Sequence, residues 1–172
     1  LGGGARRAQS GDAGTDAPAE GVNRNANNMS MVVSSAEICW GDVGLFLALP
    51  NVGLGNAAVS AVATEEQKEE WGELFASMAI TEPGAGSDAA SLRTTATRDG
   101  DDYLVNGSKV FISGAGETDV LVVMLRTGGA GPKGISALLV PADAEGISYG
   151  KKEDKMGWNA QPTRMVSFDN VR

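Results

Sequence analysis

The sequence predicts an α+β protein in which N-terminal helices are followed by an antiparallel β-barrel or β-sandwich domain. From residue 29 to about residue 75, apolar residues recur at three- and four-residue steps, a spacing typical of helices. From residue 76 onward, strand-length segments follow one another without a helical pattern between them. Such a succession favours antiparallel pairing, because parallel neighbours need a long crossover connection.

The segment before the first helix is expected to be disordered or poorly ordered. Residues 1–28 hold six of the 24 glycines, few large apolar residues and no apolar periodicity. We therefore expect a poorly ordered 1–28, a partial helical domain over 29–75 and a β domain over 76–172. Because Leu1 rather than Met begins the sequence, we expect the chain to be part of a longer polypeptide.

Three helices are expected in the first half of the chain. The first begins at Met29, and its apolar spacing predicts a buried helix with a break near Gly41. A second helix, rich in small residues, is expected within 51–63. The third follows the capping-box sequence of residues 64–67, Thr-Glu-Glu-Gln, and is expected to run to about Leu74.

The expected strands are separated by short turn sequences. Asp99-Gly100 and Asn106-Gly107 each predict a hairpin, since such pairs readily adopt the left-handed backbone of tight turns. Gly128-Gly129 and residues 141–143 predict loops between later strands.

The composition excludes several kinds of active site. The chain has no histidine, so it cannot form a Ser-His-Asp triad, a Cys-His pair or a histidine-ligated metal site. Its one cysteine, Cys39, excludes an intrachain disulfide and a CxxC site, and its apolar neighbours predict a buried filler of the first helix. We expect no metal ion.

The charge makes nucleic acids and membranes poor partners. The net charge is −8, the isoelectric point is about 4.5, and lysine and arginine form no basic stripe. Nucleic acids and anionic membranes attract basic patches, so we expect no nucleic acid and no membrane as partner. No uninterrupted apolar run approaches the roughly 20 residues that span a bilayer.

The segment SMAITEPGAGSD, residues 77–88, carries the strongest functional signal. An apolar strand gives way to a turn with Gly84, Gly86 and oxygen-bearing side chains, among them Thr81 and Ser87. One interpretation is a simple tight connection. A second is a dinucleotide fingerprint, because GAGSDA matches G-x-G-x-x-A, but no helical pattern follows it as such a loop requires. A third is a wall for a flat cofactor, because glycines permit close backbone approach and hydroxyls supply hydrogen bonds.

A second segment, KVFISGAG at residues 109–116, ends another strand in a similar way. Phe111 offers an aromatic face and Ser113 a hydroxyl, on either side of the apolar Ile112. An aromatic face for stacking beside a hydroxyl for a ring nitrogen suits a flavin. Phe111 taken alone is more typical of an ordinary core than of a cofactor site, so both interpretations stay open from these residues.

Together with a third segment, these two resemble the acyl-CoA dehydrogenases. MAITEPGAGSD is followed by YLVNGSKVFISGAG and then by GISYGKKEDKMGWNAQPTRMVSFDNVR, and ATEEQKEEW is similar to the helix before that family's β domain. The resemblance covers roughly residues 29–172. It implies a helical N-terminal domain, a middle β domain and a C-terminal four-helix domain, the last absent here, which enclose FAD and an acyl-CoA thioester.

The resemblance implies that the first glycine-rich segment lines the flavin. Backbone groups near Met78 and Ile80 would bind the pyrimidine edge of the ring, together with the amide and hydroxyl of Thr81. Ser87 would contact both FAD and the CoA part of the substrate, which makes it the implied substrate-binding residue.

The second segment would complete that site. The ring of Phe111 would pack on the flavin and the hydroxyl of Ser113 would reach N5, at positions where the family commonly has Trp and Thr. The cofactor-binding residues implied by the resemblance are Met78, Ala79, Ile80, Thr81, Gly84, Gly86, Ser87, Phe111, Ile112 and Ser113.

The implied reaction is α-proton abstraction from an acyl-CoA thioester with transfer of the β-hydride to flavin N5. In the family the base is a glutamate of the C-terminal helical domain or of a neighbouring helix. Glu82 matches a structural glutamate instead, so no catalytic residue is assigned in this chain. We therefore expect the 172 residues alone to bind FAD weakly or not at all and to lack turnover.

The resemblance also implies a substrate class and partners. Several β-domain segments are most similar to dehydrogenases of short branched acyl-CoAs, isobutyryl-CoA in particular, which act in fatty acid and branched-chain amino acid catabolism. The turn over 48–55 would form part of the acyl pocket. The resemblance implies an electron-transferring flavoprotein as electron acceptor and a homodimer or homotetramer as the assembly. It also implies a location in the mitochondrial matrix of a eukaryote or in the cytoplasm of a bacterium. Two alternative functions stay open. One is an acyl-CoA oxidase or flavin monooxygenase of the same fold, and the other is a non-catalytic module for flavin or CoA binding or for assembly.

Overall fold

Helices precede strands in this chain, apart from one two-residue strand, as the α+β prediction requires. The computed structural model describes residues 6–7, 24–49 and 53–172, with side chains from residue 29 onward. The helices are α1 (Arg24–Leu47), α2 (Leu54–Val62) and α3 (Glu65–Trp71). The strands are β1 (Arg6–Arg7), β2 (Ala76–Ala79), β3 (Thr95–Asp99), β4 (Asp102–Ser113), β5 (Val120–Arg126), β6 (Ile135–Pro141), β7 (Ile147–Tyr149) and β8 (Thr163–Val171).

Helix α1 begins earlier than its apolar pattern predicted. It starts at Arg24, five residues before the expected start, and β1 also falls within the segment expected to be poorly ordered. The rest of that segment, 1–5 and 8–23, lies outside the described residues. The expected break is present at Asp42, where φ is −160° and ψ is 107°. The Asp42 carboxylate accepts a 3.0 Å hydrogen bond from the amide of Leu45 and so caps the second part of the helix.

The prediction that α1 is buried is wrong for the described part of the chain. Trp40 is 91 % exposed, Met31 and Val32 are also exposed, and Cys39 is half-buried rather than a buried filler. No described element covers this apolar face. By length and composition alone, Met29–Leu47 could cross a membrane, so the expectation of no membrane partner stays a prediction.

Helix α2 attaches the helical part to the sheet. A Cβ on Gly55 would lie 2.3 Å from the carbonyl oxygen of Ala76, so only glycine permits this approach of helix to strand. The side chain of Asn56 donates to the Leu74 carbonyl at 2.7 Å and accepts from the Ala76 amide at 3.0 Å. These bonds turn the chain into β2, and α3 accordingly ends at Trp71 rather than at about Leu74.

The capping box of α3 is confirmed. The hydroxyl of Thr64 accepts from the Gln67 amide at 3.3 Å, and the Gln67 side chain accepts from the Thr64 amide at 3.0 Å. Two of the amides that a helix start leaves without partners are satisfied in this way.

The strands form one curled sheet in the order β1-β6-β5-β3-β4-β8-β7, with β2 also paired to β5. The pairing is mostly antiparallel as predicted, but β2 runs parallel to β5, and β3 meets β5 in parallel at one position. The sheet is therefore mixed. A main core lies inside its curvature, and a smaller one, which includes Val59, Val120 and Val122, lies between α2, β2 and β5.

One of the two predicted hairpins is present and the other is wrong. β3 and β4 pair from Asp99 opposite Asp102, and Gly100 has a φ of +65° in the turn between them. At Asn106–Gly107 the chain does not turn, and β4 continues to Ser113 with a shift of register against β8. A Cβ on Gly107 would lie within 3 Å of Thr94, so the glycine here accommodates a neighbouring segment at a bulge.

Candidate functional site

A cleft of about 880 Å³ opens where the C-terminal ends of β2 and β4 meet. The connection between α1 and α2 and the segment between β7 and β8 complete its walls. A cleft of this size, with mixed polar and apolar lining, is typical of small-molecule and cofactor sites. It is therefore the candidate site for the residues of the two glycine-rich segments.

Six of the ten cofactor-binding residues named from the sequence line this cleft, and four do not. Ala79 is fully buried in the main core, because alternate strand residues face opposite sides. Gly84, Gly86 and Ser87 lie in the exposed loop after β2 and do not line the cleft. The six that line it are Met78, Ile80, Thr81, Phe111, Ile112 and Ser113.

The two strand ends are held together by hydrogen bonds. The amide of Val110 donates to the Thr81 carbonyl at 2.9 Å, and the hydroxyl of Ser77 donates to the Ser113 carbonyl at 2.7 Å. Gly114, with a φ of +80°, follows directly, and a Cβ there would lie 2.7 Å from the Ser77 oxygen. The hydroxyl-bearing residues Thr81 and Ser113 consequently line the same cavity.

Phe111 has an unusual backbone for a strand residue. Its φ is +59°, in the left-handed region that non-glycine residues rarely adopt, and it lies between Lys109 and Ile112, where the β4–β8 register shifts. The next residue, Ile112, is buried, whereas Phe111 is 65 % exposed at the cleft. Backbone strain of this kind clusters at functional sites, and here it presents an aromatic ring to the cavity.

The glycines of the first loop have no visible internal packing role. Glu82 and Ala85 exchange backbone hydrogen bonds of 3.0 and 3.1 Å across a tight turn. A Cβ on Gly84 or Gly86 would meet no described atom within 4 Å, and neither residue has a positive φ. Larger side chains could therefore be accommodated at both positions within this fold. The absence of a side chain at Gly84 and Gly86 is consistent with close approach of a ligand or another protein segment to this loop.

Glu82 lies behind the cleft wall with both carboxylate oxygens engaged. It accepts from the amides of Arg93 at 2.6 Å and Thr94 at 2.8 Å, and from the Lys109 ammonium at 2.8 Å. Burial raises the pKa of this carboxyl, but the hydrogen bonds from Lys109, Thr94 and Arg93 outweigh it and lower the pKa from 4.5 to about 2. So weakly basic and so enclosed a carboxylate is poorly suited to abstract a proton.

The wall between β7 and β8 was not identified as site-forming from the sequence. Lys155 donates to the carbonyls of Trp158 at 3.0 Å and Gln161 at 2.6 Å, and to the Thr163 hydroxyl at 3.0 Å. Gln161 in turn donates to the Leu47 carbonyl at 3.0 Å, which ties this segment to α1. The Lys155 contacts are local, whereas the bond between Gln161 and Leu47 joins residues 114 positions apart. The sequence carries no local signal for this long-range contact beyond the resemblance.

The turn proposed for an acyl pocket also reaches the cleft, with Ala48, Leu49, Gly53 and Leu54 among the lining residues. Over the described residues, no group of three or more His, Cys, Asp or Glu side chains could hold a metal ion. The cleft thus offers hydroxyls, backbone groups, an aromatic ring and apolar side chains, which suit an organic ligand.

Comparison with known proteins identifies close relatives of this chain. A family model described as the acyl-CoA dehydrogenase middle domain matches residues 77–171. The mitochondrial isobutyryl-CoA dehydrogenase of Dictyostelium discoideum is 45 % identical over 165 residues, 91 % of this chain and 38 % of that protein. The mitochondrial isobutyryl-CoA dehydrogenase of Bos taurus is 60 % identical over 98 residues, 57 % of this chain and 24 % of that protein.

Solved structures agree with the sequence comparison. An acyl-CoA dehydrogenase from Geobacillus kaustophilus has a TM-score of 0.66 at 41 % identity, over 76 % of this chain and 36 % of that one. A glutaryl-CoA dehydrogenase from Mycobacterium smegmatis in complex with FADH2 has a TM-score of 0.62 at 34 % identity, over 69 % and 31 %. The chain spans less than two fifths of the length of each of these proteins.

Proposed function

This chain belongs to the acyl-CoA dehydrogenase family, and we propose that its cleft binds the flavin of an FAD-dependent α,β-dehydrogenation of an acyl-CoA thioester. The observation that supports the cofactor most strongly is the convergence of Thr81, Phe111 and Ser113 on one cavity. These residues come from two separate strand ends, which the Val110–Thr81 hydrogen bond holds in contact.

The residues present fit a flavin ring. Its edge carries carbonyl oxygens and nitrogens, which need hydrogen-bond donors, and its faces are apolar and aromatic. Thr81 and Ser113 offer hydroxyls, Phe111 offers an exposed ring, and Met78 and Ile80 supply apolar contacts. The relative solved with FADH2 supports the same cofactor.

In this proposal the chain binds and orients rather than performing the proton transfer. FAD would supply the hydride acceptor. Thr81 and Ser113 would hold the ring edge, where donors favour the negatively charged reduced form, and Phe111 would exclude water from one side of the cavity. We place the carboxylate base in a part of the family fold outside these residues, because Glu82 is fully occupied by its hydrogen bonds and Glu117 pairs with Arg164.

The substrate that we propose is a short branched acyl-CoA, isobutyryl-CoA in particular. Two mitochondrial isobutyryl-CoA dehydrogenases at 45 % and 60 % identity support this class over longer acyl chains. The residues of the α1–α2 turn that line the cleft would contribute to the acyl pocket, with Ser87 on the CoA side. The corresponding process is branched-chain amino acid or fatty acid catabolism, in the mitochondrial matrix of a eukaryote or the cytoplasm of a bacterium.

An electron-transferring flavoprotein is the proposed electron acceptor, and a homodimer or homotetramer the proposed assembly. The exposed apolar face of α1 agrees with coverage by further protein in such an assembly. One observation favours a second function, a non-catalytic flavin- or CoA-binding module: no carboxylate other than that of Glu117, which pairs with Arg164, lines the cleft within the described part of the chain.

Titration with FAD tests the proposed cofactor site. We expect the chain to quench flavin fluorescence with weak affinity, because it spans only 38 % of its Dictyostelium relative. Thr81→Val and Ser113→Ala should each weaken binding by roughly tenfold, the equivalent of one lost hydrogen bond. Ser148→Ala, on exposed β7, is the matched control and should leave binding unchanged. Equal binding by all four proteins would refute a flavin site at these residues.

A further inference from the structure

A buried ion pair connects the two walls of the cleft from behind. The ammonium of Lys109 lies 2.8 Å from a carboxylate oxygen of Glu82, and the side chains are fully buried and 7 % exposed respectively. Glu82 follows Thr81 directly, and Lys109 lies two residues before Phe111. The pair therefore joins the segments that carry the proposed flavin contacts, although neither member lines the cleft.

Lys109 also fixes the orientation of one peptide group. Its ammonium donates to the Ile80 carbonyl at 2.9 Å. The chain has no cis peptide bond over the described residues, so the Thr81 amide of the same peptide points away from that carbonyl, on the side opposite Lys109. Ile80 and Thr81 both line the cleft, and no acceptor for the Thr81 amide is found in the described segments.

Stability alone is a poor reason for burying this pair. Removing two charges from water costs much of what their attraction returns, and apolar pairs of similar volume are often equally stable. The contacts of this pair are directional instead. Glu82 holds the amides of Arg93 and Thr94 as well as Lys109, so the ammonium is fixed from one side while it fixes Ile80 on the other.

We propose that Lys109 and Glu82 are positioning residues that hold the Thr81 amide toward the cleft as a donor for the acceptor edge of the flavin. This inference rests on the proposed function, because the flavin contact of the Thr81 amide is one that the family resemblance implies. The new element is the role of Lys109 and Glu82, which do not line the cleft. It explains why a lysine with no exposed surface occurs two residues before the cleft.

The test is a nuclear magnetic resonance titration of the ¹⁵N-labelled chain with FAD. In the wild-type chain, we expect the Thr81 amide to shift on addition of FAD together with the amides of Phe111 and Ser113. In Lys109→Met, the Thr81 response should be lost and FAD affinity should fall roughly tenfold, while Phe111 and Ser113 still respond. A purely structural role for Lys109 would weaken all three responses together.

Two further variants separate a loss of positioning from a general loss of stability. Leu125→Ala removes a fully buried core side chain that does not line the cleft, and it should preserve the Thr81 response while lowering stability. Glu82→Gln removes the charge but keeps an acceptor oxygen, so the Thr81 response should weaken less than in Lys109→Met, and it replaces that variant if Lys109→Met does not fold. Wild-type responses of Thr81 in both ion-pair variants would overturn the positioning role and leave the flavin site standing. FAD-induced shifts in the wild-type chain that leave the amides of Thr81, Phe111 and Ser113 unchanged would overturn the proposed function instead.

Discussion

The β half of the chain buries its large apolar side chains, whereas helix α1 exposes many of its own. In the β half, side chains such as Val105, Val123 and Val166 are fully buried inside the curvature of one sheet. In α1, Met31 and Trp40 are exposed over most of their surface. The wall of the cleft that β2 and β4 form is therefore supported by strands present in this chain, whereas α1 needs a covering layer that the described residues do not supply.

The same contrast applies to charged side chains. The pair of Lys109 and Glu82 is enclosed by the β half, while the pair of Lys68 and Glu65 lies on the surface of α3. A buried charge loses its hydration and is stabilised only by its charged and hydrogen-bonding partners, whereas a surface charge is stabilised by water. Substitutions should therefore have large effects behind the cleft and small effects in the helical part.

The largest effect is expected from Lys109→Met. This change leaves the carboxylate of Glu82 buried without its counter-ion, which should lower the free energy of unfolding by about 3–5 kcal/mol. Lys68→Met, the surface comparator, should barely change it. Urea unfolding followed by circular dichroism measures both, and equal small losses would show that the buried pair contributes no more than the surface pair.

Acid should destabilise the β half through Glu82. Its pKa in the folded chain, about 2, lies below its ordinary value of 4.5, so the folded state favours the ionised form. The resulting stabilisation is fully present above about pH 4.5 and is lost as the pH falls toward 2, by an amount of about 3 kcal/mol. The free energy of unfolding measured in urea between pH 5 and pH 2 should fall less steeply in Glu82→Gln. Identical slopes for the two proteins would contradict this assignment.

The sequence predicted features that depend on neighbouring residues. The order of helices and strands, the capping box at Thr64 and the hairpin at Asp99–Gly100 are all confirmed, because each follows from local backbone preference or apolar spacing. The two segments predicted to bind a cofactor both contribute residues to the cleft wall, and each combines a strand end with hydroxyl, aromatic or glycine residues. Their binding of a cofactor stays a prediction.

The features that were missed depend on contacts between distant segments. Asn106–Gly107 has the composition of a turn, yet the approach of Thr94 makes Gly107 a bulge within β4. The parallel pairing of β2 with β5 and the attachment of Gln161 to α1 leave no periodic signal in either partner. The apolar spacing in α1 showed which face of the helix is hydrophobic. It could not show whether other residues of the chain pack against that face.

A smaller effect is expected at the start of α3. Thr64→Ala removes the hydroxyl that accepts from the Gln67 amide, and loss of an N-cap of this kind costs about 1 kcal/mol. Thr64→Ser keeps the oxygen and is the matched control, with little expected loss. If Ala and Ser lower the midpoint of urea unfolding equally, the capping bond does not stabilise the helical part.

The smallest effect on stability is expected on the exposed face of α1. Trp40→Ser should change the free energy of unfolding by no more than about 0.5 kcal/mol, because a 91 % exposed side chain has few contacts to lose. The same substitution should lower self-association and the binding of an apolar dye, since it removes part of an exposed apolar face. Sedimentation and dye fluorescence measure these changes, with Thr97→Ser on the exposed side of β3 as control. A clear loss of folding stability in Trp40→Ser would mean that α1 packs against this chain's own residues, and the contrast between the two regions would then be wrong.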